Sequence, residues 1–127
     1  MEGTRGFKEG TLVFVWNADG GWQHALMDSL HKVLSPQTYS CKLCQLTHGI
    51  AGPKAEWSHF LENIGREVVF CHRDQFKKSP LAESFPGLEL PVVLCRSSET
   101  WEILLPKSEI VRLENLDELL RKLEQRS

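Results

Sequence analysis

Thr38-Tyr-Ser-Cys41-Lys-Leu-Cys44-Gln-Leu-Thr47, followed by His48-Gly49-Ile50 and then Ala51-Gly52-Pro53-Lys54, is the stretch on which the fold turns. Its β-branched, aromatic and sulfur-bearing residues read as an extended strand over 38–47 that ends near His48-Gly49. Gly52-Pro53 then opens a helix, since proline suits a first turn in which its missing N–H has no partner to lose. On that reading Cys41 and Cys44 point to opposite faces, their Cα atoms roughly 10 Å apart at about 3.3 Å per residue. A disulfide needs about 4.4–6.8 Å. The pair is therefore expected as two structural thiols, and it closes only if 40–44 is a turn. A working dithiol and a metal site remain as alternatives. The metal alternative draws on Cys41 and Cys44 with His48 and Cys71 or His72, without a second CxxC or HxxxH pair to complete it.

Outward from this stretch the chain alternates strands and helices. Thr11-Leu-Val-Phe-Val-Trp16 is a short, continuously apolar run, as in a strand buried on both faces. Asn17-Ala-Asp-Gly-Gly21 turns it into a helix in which Trp22, Leu26, Leu30, Val33 and Leu34 share one face, stopped at Ser35-Pro36. Downstream, Trp57, Phe60, Leu61 and Ile64 follow at helical spacing with Gly65 as C-terminal cap. Val68-Val-Phe-Cys71 is a third strand. The polar stretch 72–89 predicts no more than a short helical turn. Pro91–Cys95 and Thr100–Leu105 form a hairpin through Ser97-Ser-Glu99, and Asn115 with Glu118 caps a final amphipathic helix. Cys95, alone in an apolar run, reads as a small core residue.

At 127 residues with 41% hydrophobic and 25% charged residues, the chain has the balance of one folded domain, 11–127, preceded by an extension, 1–10. A net charge of −2 without a cationic run argues against nucleic-acid binding by phosphate neutralisation. No apolar stretch is long enough to span a bilayer, and the N-terminus lacks the apolar centre of a signal peptide, so no membrane partner and a cytoplasmic location are expected.

The order βαβαβ(α)ββα, an α/β mixed sheet with a closing antiparallel hairpin and final helix, resembles the thioredoxin fold, and more loosely small bacterial thioredoxin-like proteins of this length. Two details carry the resemblance. That family runs a strand into Cys-Gly-Pro-Cys at a helix start, where this chain has Ala51-Gly52-Pro53-Lys54; and it places a cis-proline before an antiparallel strand, where this chain has Leu90-Pro91. The resemblance implies a three-layer sandwich. It also implies that the family's dithiol position is empty, because Ala51 and Lys54 carry no sulfur.

Ligands of such sheets bind beyond the carboxyl ends of the parallel strands. That edge is expected to collect Asn17, Asp19, Gly20 and Gly21, then Thr47, His48 and Gly49, then His72, Arg73 and Asp74, with Lys54 and Pro91 beside them. Each has an ordinary role as well: Asp19 as a helix cap, Asn17 and the glycines as turn residues, His48 as a surface histidine, and His72-Arg73-Asp74 as a polar strand exit. Three functions follow. The favoured one is a redox-inactive module that binds an unidentified protein or small anionic ligand at this edge, without a cofactor. The second is a thiol–disulfide oxidoreductase using Cys41 and Cys44. In the third, a hydrolase or transferase, His72 or His48 is the base, Asp19 or Asp74 orients it, and Arg73 or Lys54 stabilises negative charge.

Overall fold

Strand β1, Leu12–Val15, is buried along its whole length and forms the middle of the structure. The computed structural model describes residues 8–20, 41–49 and 52–126. After β1 come α1 (Lys42–Thr47), β2 (His48–Gly49), β3 (Gly52–Pro53), α2 (Ala55–Asn63) and β4 (Val68–Cys71). Then follow α3 (Arg73–Lys77), α4 (Pro80–Ser84), β5 (Val92–Arg96), β6 (Trp101–Leu105), α5 (Lys107–Ile110) and α6 (Leu116–Arg126).

Four strands make one mixed sheet in the order β4-β1-β5-β6. β1 runs parallel to β4, with Leu12 opposite Val68 and Val15 opposite Cys71. It runs antiparallel to β5, with Leu12 opposite Cys95 and Val15 opposite Val92. β5 and β6 close the sheet as the expected hairpin, with an irregularity at Val93/Leu94. Alternate side chains of a strand leave opposite faces, and here that alternation divides the interior. Leu12, Phe14 and Trp16 join α1, α2, α5 and α6 on one face; Val13 and Val15 join Phe76 and Leu81, from α3 and α4, on the other. Both faces of the sheet are thereby covered. Among the described residues no helix is long and apolar enough to cross a membrane.

The expected strand over 38–47 is overturned where it is described. Residues 42–47 are helical, with Cys41 as the N-cap. Leu43, Cys44, Leu46 and Thr47 are all buried, a spacing that makes one helical face and that no strand buries on one side. The Thr47 hydroxyl donates to the Leu43 carbonyl at 2.9 Å, which pairs it inside the core. The sheet accordingly has a single parallel pair among the described residues, not the three parallel strands that the alternation predicts.

Pro53 is also displaced from its expected role. It pairs with His48 in a two-residue ladder, while Gly49 faces Gly52; α2 begins two residues later with Lys54 as N-cap. Gly52 has φ +107°, a backbone that side chains disfavour, and this bend delays the helix. The polar stretch 72–89 holds two short helices rather than one turn. Pro80 opens the second, where its missing N–H costs no bond. The Leu90–Pro91 bond is cis. The helix expected after Asn17–Gly21, with Gly21 and Trp22–Leu34, lies outside the described residues, as does Ala51.

Candidate functional site

Cys41 and Cys44 are joined by a disulfide, their Cα atoms 5.3 Å apart. The expectation of two separate structural thiols rested on an extended backbone. A helix start instead brings residues three apart together, and that single change of local structure reverses the conclusion. Both sulfurs belong to the fully buried core on the Trp16 side of the sheet. Cys41 Sγ accepts two backbone N–H groups: that of Cys44 at 3.2 Å, as a helix N-cap acceptor, and that of Asn17 at 3.3 Å. Asn17 stands just past β1, so the disulfide lies at the carboxyl end of that strand. Cis-Pro91 is at the same end, one residue before Val92, which faces Val15.

Several of the expected edge residues are brought together around the 17–20 turn. Arg73 Nε donates to Asp19 Oδ1 at 3.0 Å, and its Nη1 reaches Asn17 Oδ1 at 3.5 Å. The Arg73 backbone N–H donates to the Ala18 carbonyl at 2.9 Å. Gly20 N–H donates to Asp74 Oδ1 at 3.1 Å, and a Cβ added at Gly20 would touch both Asp74 and His72. The turn is thus stitched to the start of α3. The hydrogen bond from Arg73 holds the Asp19 carboxyl below the usual carboxylate range. His72 is the N-cap of α3, its N–H donating to Gln75 Oε1 at 3.0 Å. Asp19 accepts from Arg73, and Asp74 Oδ1 from the Gly20 and Gln75 amides, so both carboxylates brace the turn against the start of α3.

His48 and Lys54 form a second grouping on the Trp16 side. The His48 ring lies edge-on to Trp16 at 5.6 Å, and its Nδ1 meets Thr47 Oγ1 at 2.8 Å. The same hydroxyl lies 2.9 Å from the Leu43 carbonyl and so links the imidazole to α1. Burial, and then the charge of Lys54, push the His48 pKa down to about 4. Trp16 stacks on Phe70 at 5.6 Å, and Phe14 meets Trp57 edge-on at 5.3 Å. Trp16, His48, Pro53, Trp57 and Phe70 border a cleft of about 170 Å³. This aromatic wall was hidden in the sequence: Trp16 reads as the end of a buried strand and Trp57 as a residue on the apolar face of a helix, and only the fold puts His48 against them. Cys71 lies on the opposite face of the sheet, with burial raising its thiol pKa. Among the described residues no three His, Cys, Asp or Glu side chains gather as a metal would require, so the ligand set drawn from Cys41, Cys44, His48 and Cys71 or His72 does not assemble.

No protein-family model, curated protein or solved structure matches this chain.

Proposed function

We propose that the chain is a thioredoxin-like thiol–disulfide module whose redox pair is Cys41 and Cys44. The observation that carries this reading is the double N–H donation to Cys41 Sγ from Cys44 and Asn17. A hydrogen bond to an anion is roughly twice as strong as one to a neutral acceptor. The same two amides therefore favour the Cys41 thiolate once the disulfide opens, and a thiolate is both the better leaving group and the better nucleophile. The strand order β4-β1-β5-β6 and the cis bond before β5, at the strand end next to the disulfide, add support from the fold.

Exchange with a small thiol such as glutathione runs in two displacements. A glutathione thiolate attacks Cys44 Sγ, the Cys41–Cys44 bond breaks, and its electron pair stays on Cys41 as a thiolate. A second glutathione thiolate attacks the glutathione sulfur of the mixed disulfide and expels Cys44, which takes a proton. Two electrons pass to the protein, oxidised glutathione leaves, and the second proton enters solvent. Both sulfurs are fully buried, so each displacement proceeds through a local opening. Reduction is therefore expected to be slow in the folded protein and faster in subdenaturing urea.

The test is to equilibrate the folded protein in glutathione buffers of graded ratio and count alkylated thiols on residues 41 and 44 by mass spectrometry. A reversible midpoint, reached from both the oxidised and the reduced side with circular dichroism unchanged, is the expected result. Reduction seen only on global unfolding would make the bond a structural staple and end this reading. The alternative, a redox-inactive module for a protein or small anionic ligand, draws on Arg73, whose side chain is 33% exposed at the same strand end. Serine at both 41 and 44 separates the two, since it abolishes exchange but leaves binding at Arg73 intact.

A further inference from the structure

We propose that Asp19 and Arg73 are positioning residues for the Cys41–Cys44 pair, holding the 17–20 turn where the Asn17 N–H meets Cys41 Sγ and so setting how strongly the reduced state is stabilised. The inference rests on the thiol–disulfide reading above and adds to it the residues that tune the equilibrium.

The argument follows a chain of contacts. Of the two donors on Cys41 Sγ, the Cys44 amide belongs to the same helical turn and comes with it. The Asn17 amide is different: it is supplied from 24 residues away by a turn containing Gly20. A donor of that kind is only as well placed as the turn that carries it. Here the turn is tied to the start of α3 at each of its residues: Asn17 and Asp19 by the Arg73 guanidinium, Ala18 by the Arg73 N–H, and Gly20 by the Asp74 carboxylate. α3 in turn is anchored through Phe76 in the core on the far face of the sheet. The sulfur thus feels, through one amide, an ion pair lying on the surface.

An exposed ion pair contributes little to global stability, because solvent screens it and two side chains lose freedom. That weakness is useful to the test, since removing the pair leaves the fold intact while loosening the turn. A looser Asn17 amide donates less to the Cys41 thiolate. The reduced form loses stabilisation that the oxidised form needs less, so the equilibrium moves toward the disulfide.

The experiment measures the glutathione equilibrium constant of the full chain and of Asp19→Asn, Arg73→Gln and Arg73→Lys, with Arg121→Gln as control. Arg121 pairs with Asp117 on the exposed face of α6. Asp19→Asn and Arg73→Gln are expected to favour the disulfide about three- to tenfold, tenfold being about 30 mV for a two-electron couple. Arg73→Lys, which keeps a cation for Asp19 but loses the second contact, should recover part of the shift, and Arg121→Gln should show none. Equilibrium constants for Asp19→Asn and Arg73→Gln equal to wild type overturn this inference and leave the redox reading standing. A wild-type protein that never exchanges in the folded state overturns both. Should Arg73→Gln fail to fold, Asp19→Asn decides alone, since it alters a carboxylate that is 53% exposed.

Discussion

A histidine buried away from water, with a lysine nearby, gives up its proton readily, and His48 is so placed. Its folded pKa is about 4 against 6.5 for the free side chain. Above 6.5 neither the folded nor the unfolded state holds the proton, so His48 leaves stability unchanged there. Between 6.5 and 4 the unfolded chain binds a proton that the folded one refuses, and stability falls with pH. The loss is on the order of 2 kcal/mol, less than the full shift implies because partial solvation and relaxation reduce it. Urea midpoints taken from pH 7 to pH 4.5 should fall, and His48→Gln should flatten the decline; equal slopes would mean that His48 is not the group responsible. Asp19 and Glu109, held low chiefly by their hydrogen bonds to Arg73 and Arg126, act in a separate window: their contribution is lost as pH drops through and below the ordinary carboxylate range. The neutral His48 was not legible in the sequence, where it reads as one more surface histidine. Its burial comes from Trp16, 32 positions earlier, and no local pattern records that contact.

At the scale of elements, legibility followed the strength of the local signal. α6 was legible throughout, because its leucines recur at helical spacing and its entry carries its own cap. Asn115 Oδ1 accepts the Glu118 N–H at 3.0 Å. Glu118 reaches back to the Glu114 N–H at 2.9 Å, one residue earlier than the usual reciprocal bond. Asn115→Ala is expected to cost about 1 kcal/mol in chemical denaturation; a change below a few tenths would show that the leucine face alone holds the helix. α2 was legible in its face and its Gly65 exit but misplaced at its start, since Gly52 bends the chain before the proline can enter the helix. α1 was misread for a physical reason: Tyr39, Cys41 and Leu43 stand two apart in the sequence, as along one face of a strand, while Leu43, Cys44, Leu46 and Thr47 recur as a helix does. A ten-residue window cannot separate the two periods. Burial of the second set on one face, and a sulfur able to cap the first turn, decide it.

For the whole molecule, the central strand, the hairpin and the final helix follow from apolar runs and turn chemistry, and they suffice to predict a mixed sheet covered by helices. The position of the functional edge was partly legible as well. Asn17, Asp19, Gly20, His72 and Arg73 meet because the carboxyl ends of β1 and β4 lie side by side, which parallel pairing alone dictates. His48 and Lys54 do not join that group, since the segment expected to carry His48 at the end of a parallel strand is a helix and a short ladder on one face. The sheet also sorts the sulfur. Cys71 faces the core on one side and the 41–44 pair sits on the other. Cys95 faces Leu12, at the opposite end of β1 from Asn17; five residues of strand put about 16 Å between those two ends. Thiol exchange needs contact, so neither free cysteine can trade places with the pair while the strands remain zipped. The sheet therefore works as a partition against miswiring. Air-oxidised protein digested at acidic pH should yield a 41–44 linkage alone, and cross-links to 71 or 95 should appear only after the chain has been unfolded and reoxidised.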